Sequence, residues 1–239
     1  MAFIIGGNTF NGTMADTQDY VQIVQSGLKL HLDAGTLESY PGSGTEWFDI
    51  TGNGNVATLV NGPTFSTNAI RLDGTNDYIS LPTLGFAPST LTLEFWIKRH
   101  ANTGYFLAID NSDNPELRLQ FSGGYVALTW YDDGAYIASF SSVTAITLDN
   151  WYHVCVTSKD SDFRMYINGT LDTADTTGTY TGGLNGNAGE HTLGTYNRPG
   201  AGYGGYANVS YGVYRFYNRV LSPNEILYNY NTQKARFGL

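Results

Sequence analysis

The chain has 239 residues and a net charge of −9, with 41% hydrophobic and only 14% charged residues. This composition supports a folded core and excludes an intrinsically disordered chain, which combines low hydrophobicity with high charge. It also argues against nucleic-acid binding and membrane insertion, because Lys and Arg number only 12 and no apolar run approaches the roughly 20 residues of a membrane-spanning helix.

The first 26 residues differ in composition from the rest of the chain. Residues 6–19 are mostly small and polar, and they follow a short apolar tip. The apolar side chains of this segment are Phe3, Ile4, Ile5 and Phe10. Such a segment is typical either of a frayed terminus or of a tether that becomes ordered on a partner. We predict an N-terminal arm over residues 1–26. If the arm is a tether, its four apolar side chains make the assembly contacts.

Short stretches with β-strand character recur from Leu28 onward, separated by turn signals. The clearest covers residues 91–98, where Leu91, Leu93, Phe95 and Ile97 fall on one side because strand side chains alternate. That side is therefore predicted to face the core. Many short strands without internal repeats predict one antiparallel sandwich or barrel over residues 27–239.

One helix is predicted near the end of the chain. In Ser222-Pro223-Asn224-Glu225, the serine is a suitable N-cap, the proline occupies the first helical position and the glutamate completes a capping box. Apolar residues then recur at helical spacing. The pattern predicts a helix over residues 222–234 and explains Glu225 by capping.

Seven short motifs follow one another between residues 49 and 226. They occupy residues 49–55, 70–79, 93–98, 151–154, 165–169, 193–194 and 217–226. Their order resembles the laminin-G-like, concanavalin A-like jelly-roll domains over about residues 28–233. The resemblance implies an all-β antiparallel jelly-roll β-sandwich, here with one short C-terminal helix and an extended N-terminal arm.

Two further stretches, residues 27–44 and 230–239, resemble laminin-G-like proteins of tailed phages of marine bacteria. This resemblance implies a non-enzymatic virion structural protein, either a capsid decoration or a tail or fibre component. Such a protein assembles in the host cytoplasm, which agrees with an N-terminus that has no basic segment typical of a secretory signal. The arm and the charge-poor, tyrosine-rich composition further predict contacts with other virion proteins through the arm, and homo-oligomerisation. The alternative is a carbohydrate-binding module or lectin not tied to a virion.

The chain carries no pattern typical of an enzyme. Jelly-roll glycosidases use two carboxylates across a cleft, and the scattered glutamates of this chain form no such pair. The four histidines do not share metal-ligand spacing. His153 is interpreted as a packed structural residue and Cys155, the single cysteine, as a small buried hydrophobe.

Aromatic loops are the candidates for ligand binding. Lectins stack a sugar ring on an aromatic side chain and hold its hydroxyls with Asp, Asn and backbone groups. The candidate residues are Trp130, Tyr131, Asp132, Asp133, Tyr196, Tyr203 and Tyr206. The same composition also suits a protein–protein surface, because tyrosine provides contact area at low entropic cost. The sequence does not distinguish a surface glycan from a protein partner.

Calcium is the one cofactor for which the chain offers candidates. The resemblance implies a site at a loop rim, and Asp73, Asn76 and Asp77 supply a local group of oxygen ligands. The alternative is that these side chains stabilise their own turn. Residues 207–212 lack the aspartate that many relatives carry there, which weakens the calcium interpretation.

Overall fold

A computed structural model describes residues 2–5, 8–11, 22–82, 90–110, 115–132, 135–159, 162–175, 191–198 and 202–239. This part of the chain forms twenty β-strands, one α-helix and one 3-10 turn. The strands are β1 (Ala2–Ile5), β2 (Asn8–Asn11), β3 (Leu28–Asp33), β4 (Glu46–Phe48), β5 (Val56–Val60), β6 (Thr64–Ser66), β7 (Ala69–Asp73), β8 (Tyr78–Leu81), β9 (Thr90–Arg99), β10 (Thr103–Asp110), β11 (Pro115–Ser122), β12 (Tyr125–Asp132), β13 (Ala135–Ser141), β14 (Trp151–Lys159), β15 (Asp162–Ile167), β16 (Thr170–Asp175), β17 (His191–Leu193), β18 (Tyr196–Arg198), β19 (Gly202–Gly204) and β20 (Asn208–Tyr217). The helix is α1 (Pro223–Gln233), and the 3-10 turn Lys234–Phe237 follows it directly. Within this part of the chain, neither helical segment has the length and apolar character needed to cross a membrane.

Two antiparallel sheets form the sandwich. Sheet I has the strand order β13-β12-β11-β10-β17-β8-β5-β4, and sheet II has the order β16-β15-β14-β9-β20-β7-β6. The long strand β20 pairs with β9 along one side, and along the other it pairs first with β7 and then with β3. The predicted all-β jelly-roll sandwich is confirmed.

The core lies between the two sheets. Leu91, Leu93, Phe95 and Ile97 are at most 1% exposed, which confirms the face predicted from their alternation. Phe95 of sheet II meets Phe106 of sheet I edge to face, with ring centres 5.5 Å apart. The Tyr211 hydroxyl also donates a hydrogen bond of 2.7 Å to the Phe106 carbonyl. The two sheets are thus joined by both apolar packing and a direct hydrogen bond.

Helix α1 begins as the sequence predicts. The Ser222 side chain accepts a hydrogen bond from the Glu225 amide at 3.3 Å, and the Glu225 carboxylate accepts one from the Ser222 amide at 2.8 Å. Arg219 and Ser222 lower the pKa of Glu225 to about 2, since both donate hydrogen bonds to its carboxylate. The helix ends within a residue of the predicted end. It lies on the outer face of sheet II, where Phe237 stacks on Trp96 with ring centres 4.1 Å apart.

A network of buried polar groups joins α1 to sheet II. The Glu94 side chain is fully buried and accepts hydrogen bonds from His153 Nε2 at 2.8 Å and Arg215 Nη1 at 3.0 Å. Its second oxygen accepts from Asn229 Nδ2 at 2.9 Å, and Arg215 also donates to Gln233 Oε1 at 2.6 Å. Burial alone would raise the pKa of Glu94, but the Arg215 charge and the His153 hydrogen bond hold it below its usual value. The interpretation of His153 as a structural residue is confirmed.

The interpretation of Cys155 is also confirmed. The side chain is fully buried in a small cluster with Tyr166, Tyr217 and Ile226, between sheet II and α1. Burial raises the pKa of the Cys155 thiol well above its usual value, and the nearby Glu94 charge adds to this effect. The thiol is therefore a packed, protonated group.

Two residues placed in the predicted arm contact the folded domain. Ile23 is 4% exposed, and the Val24 amide donates a hydrogen bond of 2.9 Å to Asn229 in α1. The end of the predicted arm thus packs against α1, and the boundary between arm and domain at residue 27 stays a prediction. Strands β1 and β2 form an antiparallel hairpin in which Phe3 is opposite Phe10 and Ile4 is opposite Thr9. The assembly contacts expected of Phe3, Ile4, Ile5 and Phe10 stay a prediction.

Candidate functional site

The β18–β19 hairpin is attached to the outer face of sheet I. Residues Leu107 and Ile109 of β10 point into the core, so Ala108 points outward, and Asp110 follows at a register irregularity at the end of the strand. The Asp110 carboxylate accepts a hydrogen bond from the Asn197 amide at 3.2 Å. The Tyr105 amide donates to the Gly205 carbonyl at 2.8 Å, and Tyr105 also forms an isolated bridge with Tyr206. These contacts fix the hairpin to β10.

A buried ion pair lies beneath the hairpin. Arg118 Nε and Nη2 each lie 3.1 Å from Asp110 Oδ1, and the two residues are 7% and 2% exposed. The Arg118 guanidinium is 4.5 Å from the centre of the Tyr196 ring and 5.8 Å from that of Tyr105, within the range of cation–π attraction. The positive charge of Arg118 is thus compensated by Asp110 and shielded by two rings.

Two pairs of tyrosines lie on opposite sides of the hairpin. On the β11 side, the rings of Tyr105 and Tyr196 meet edge to face with centres 4.8 Å apart. On the β8 side, the rings of Tyr78 and Tyr203 are stacked with centres 4.6 Å apart. Tyr196 pairs with Gly204 and Tyr203 with Asn197, so the two tyrosines project to opposite faces of the hairpin. All four rings are half-buried, so each is fixed by its neighbours and still reaches the surface.

Gly205 makes this arrangement possible. Its φ is +62°, in the left-handed region, and a Cβ there would lie 2.5 Å from Tyr105 Cδ2 and 2.8 Å from Tyr196 Cε1. Any other residue would push the two rings apart.

The structure changes the set of candidate ligand residues. Trp130 is 2% exposed, shares the inner face of β12 with Val126 and Leu128, and packs against Phe163 with ring centres 5.0 Å apart. A ring in the core cannot stack on a sugar at the surface, so we remove Trp130 from the site.

The other candidates divide into two groups. Tyr196 and Tyr203 lie on opposite faces of the hairpin, and Tyr206 follows the hairpin and is bridged to Tyr105. Tyr131 is half-buried in β12 and Asp132 ends that strand, whereas Asp133 lies outside the described residues.

Sequence reasoning missed four residues of the site, namely Tyr78, Tyr105, Asp110 and Arg118. A signal existed for two of them. Tyr78 alternates with the buried Ile79, and Arg118 lies between the buried Leu117 and Leu119, so both are on the outer side of their strands. Nothing in the sequence indicates that the hairpin covers them.

The predicted calcium ligands form a hydrogen-bonded turn. Asp73 Oδ1 accepts from the Thr75 amide at 2.7 Å, and Asp77 Oδ2 accepts from the Asp73 amide at 3.2 Å. The Asn76 carbonyl accepts from Asn61 Nδ2 at 2.9 Å. Burial raises the pKa of Asp77. Across the described segments, no group of three or more His, Cys, Asp and Glu side chains is placed to hold a metal ion, so a calcium ion here would need backbone oxygens as well.

Comparison with known proteins gives one family and several similar structures. A family model described as the concanavalin A-like lectin/glucanases superfamily matches residues 73–227. A search of curated proteins finds no match. The receptor-binding domain of botulinum neurotoxin C/D mosaic serotype is similar with a TM-score of 0.67 at 16% identity, over 88% of this chain and 52% of that one.

Two further structures show the same fold. The ligand-binding domain of botulinum neurotoxin serotype D, solved in complex with N-acetylneuraminic acid, has a TM-score of 0.65 at 15% identity, over 88% of this chain and 52% of that one. The sialidase of Trypanosoma rangeli has a TM-score of 0.65 at 17% identity, over 88% of this chain and 33% of that one. This chain therefore spans about half the length of the toxin domains and a third of the sialidase.

Proposed function

We propose, since this chain belongs to the concanavalin A-like lectin/glucanases superfamily, that it is a non-enzymatic module that binds glycans on the outer face of sheet I. The observation that carries the proposal is the Tyr105–Tyr196 pair, held at the surface over the buried Arg118–Asp110 ion pair. Fixed aromatic rings suit the stacking of a sugar because little conformational freedom is lost on binding. A sugar is also the ligand in the similar serotype D toxin domain.

The roles of the carboxylates support a non-enzymatic module. A glycosidase needs a carboxylic acid whose pKa is raised beside a second carboxylate. Asp110 instead binds Arg118 and the Asn197 amide, and Glu94 is enclosed beneath α1 on the other sheet. Glu225 caps the helix. Each of these three carboxylates stabilises the fold.

Replacing Tyr196 with Ala is expected to weaken glycan binding by about tenfold or more, because the ring that stacks on the sugar is lost. Tyr196→Phe retains the ring and is expected to bind like the unmodified chain. The measurement is a glycan array with and without Ca²⁺, followed by calorimetric titration of the best ligand. Tyr228→Ala is the control, since Tyr228 is 52% exposed on α1, at the opposite sheet. Unchanged binding by Tyr196→Ala would exclude this site, and failure of the unmodified chain to bind any glycan would exclude the function.

The N-terminal arm supports a virion setting for this module. Two observations support this setting. Residues 27–44 and 230–239 resemble phage proteins, and the first eleven residues of the arm carry no charged side chain. We propose that the arm attaches the domain to a phage particle, as a capsid decoration or tail component, and that several copies assemble there.

Deleting residues 1–20 is expected to abolish incorporation into particles without changing the free energy of unfolding of the domain, because Ile23 is the first residue of the described core. Protein composition of purified particles and chemical denaturation of the free chain measure the two effects. Normal incorporation of the truncated chain would exclude attachment through the arm.

A further inference from the structure

The outer face of sheet I carries a row of aligned side chains, all small except Arg118, that runs across seven strands. Its members, in order from β5 to β13, are Thr58, Ser80, Thr192, Ala108, Arg118, Thr129 and Ser139. Each is directly opposite the next in the strand register. With strands about 4.8 Å apart, the row is about 29 Å long, and five of its seven members carry a hydroxyl group.

The β18–β19 hairpin divides this row into two open parts. Thr192, Ala108 and Arg118, in the middle of the row, are at most 7% exposed. Thr58 and Ser139, at the two ends, are exposed. The hairpin therefore covers the middle of the row and forms a wall on the sheet, and the row is exposed on both sides of this wall.

The part on the β11–β13 side has the form of a step. Tyr196 and Tyr105 form its high side, next to Arg118. Its low side consists of Thr129 and Ser139, with a parallel row of uncharged side chains beside it. That second row contains Gln120, Ala127 and Ser141, which are opposite one another in the register. A low polar floor beside an aromatic wall accommodates a ligand that lies along the row.

The charges at this step favour an uncharged ligand. Arg118 is compensated by Asp110 at 3.1 Å, so it offers little net positive charge to an anion. The floor side chains named above are uncharged, and the chain as a whole carries −9. Hydroxyl groups such as those of Thr129 and Ser139 both donate and accept hydrogen bonds, which matches the hydroxyls of a neutral sugar.

We infer that the ligand is an uncharged linear oligosaccharide that crosses β11, β12 and β13, with one sugar on the Tyr196 ring and the next over Thr129 and Ser139. This inference rests on the proposed glycan-binding function and adds the chemical class, minimum length and direction of the ligand. It assigns Thr129 and Ser139 to a second sugar subsite.

Titration with saccharides of increasing length tests the inference. The probes are chito-, malto-, cello- and xylo-oligosaccharides of one to six residues, with sialylated and sulfated oligosaccharides as anionic probes. In at least one uncharged series, the disaccharide or trisaccharide is expected to bind about tenfold or more tighter than the monosaccharide, because the second subsite adds hydrogen bonds and contact area.

A pair of matched variants locates the subsite. Thr129→Trp fills the floor and is expected to reduce oligosaccharide affinity to that of the monosaccharide. Thr58→Trp places the same ring in the same row beyond the hairpin and is expected to leave both affinities unchanged. Thermal unfolding of both variants verifies that they fold.

The outcomes separate the inference from the function on which it rests. Equal affinity for monosaccharide and oligosaccharide, a preference for anionic probes, or equal effects of the two tryptophan variants would overturn the inference while glycan binding stands. Failure of every glycan to bind would overturn both.

Discussion

Replacing Glu94 with Leu lowers the free energy of unfolding by an expected 3–5 kcal/mol or so, because it leaves Arg215 buried without its counter-charge. Both side chains are fully buried, with Arg215 Nη1 3.0 Å from Glu94 Oε1. The substitution also removes the acceptor for His153 and for Asn229 of α1. Denaturation by guanidinium chloride at pH 7, followed by tryptophan fluorescence, measures the loss.

Two further variants make this result specific to the buried charge. Arg164→Leu breaks the Arg164–Asp162 pair, in which both side chains are 40% exposed, and is expected to cost less than about 1 kcal/mol. Glu94→Leu combined with Arg215→Leu removes both buried charges and is expected to recover part of the stability lost by the single substitution. A loss below about 1 kcal/mol for Glu94→Leu would contradict the expectation.

Lowering the pH from 6.5 toward 4 destabilises the domain, and His191 is expected to account for about 3 kcal/mol of the loss. Burial lowers the pKa of His191 from 6.5 to about 4, because the folded protein keeps the ring neutral. The unfolded chain therefore binds the proton first as pH falls. This contribution to stability is complete above pH 6.5 and is lost progressively down to about pH 4.

His31 acts in the same direction. Burial lowers its pKa, and the charges of Arg215 and Arg236 lower it further. Glu94, whose pKa lies below its usual 4.5, loses its stabilising charge only at lower pH. The histidines therefore account for the loss between pH 6.5 and 5.

Denaturation at half-unit steps of pH measures this dependence. His191→Leu suits its site, since His191 is opposite Ile109 and Leu81 on the inner side of sheet I. The variant is expected to have a clearly shallower loss of stability between pH 6.5 and 4. An identical slope in the variant and the unmodified chain would show that His191 does not carry the effect.

Local patterns in the sequence were sufficient to predict the β-strands and the helix of the fold. The alternation of Leu91, Leu93, Phe95 and Ile97 fixes which face is buried, because side chains of neighbouring strand residues point to opposite sides. The start of α1 follows from four adjacent residues, since a capping box is a local interaction. The same alternation, applied to Val126, Leu128 and Trp130, would have assigned Trp130 to the core.

Contacts between distant segments could not be predicted in the same way. Glu94 lies between Leu93 and Phe95 and so points to the outward side of β9. It is nevertheless buried because α1 covers that side, and its partner Arg215 is 121 residues away. The ring pairs Tyr78–Tyr203 and Tyr105–Tyr196 form only through the strand register and the placement of the hairpin. No periodic pattern encodes either arrangement.

The two outer faces of the sandwich have a mechanical consequence. The chain enters the domain beneath α1, on sheet II, whereas the tyrosines lie on sheet I. Any pull between a carrier holding the chain before Ile23 and a ligand held by Tyr196 acts across the thickness of the domain, along the line from one sheet to the other. Such a force acts perpendicular to the strand-to-strand hydrogen bonds within each sheet. It is borne by the contacts between the sheets, such as the Phe95–Phe106 ring pair and the hydrogen bond of the Tyr211 hydroxyl. The interdigitated core is thus the element that resists tension.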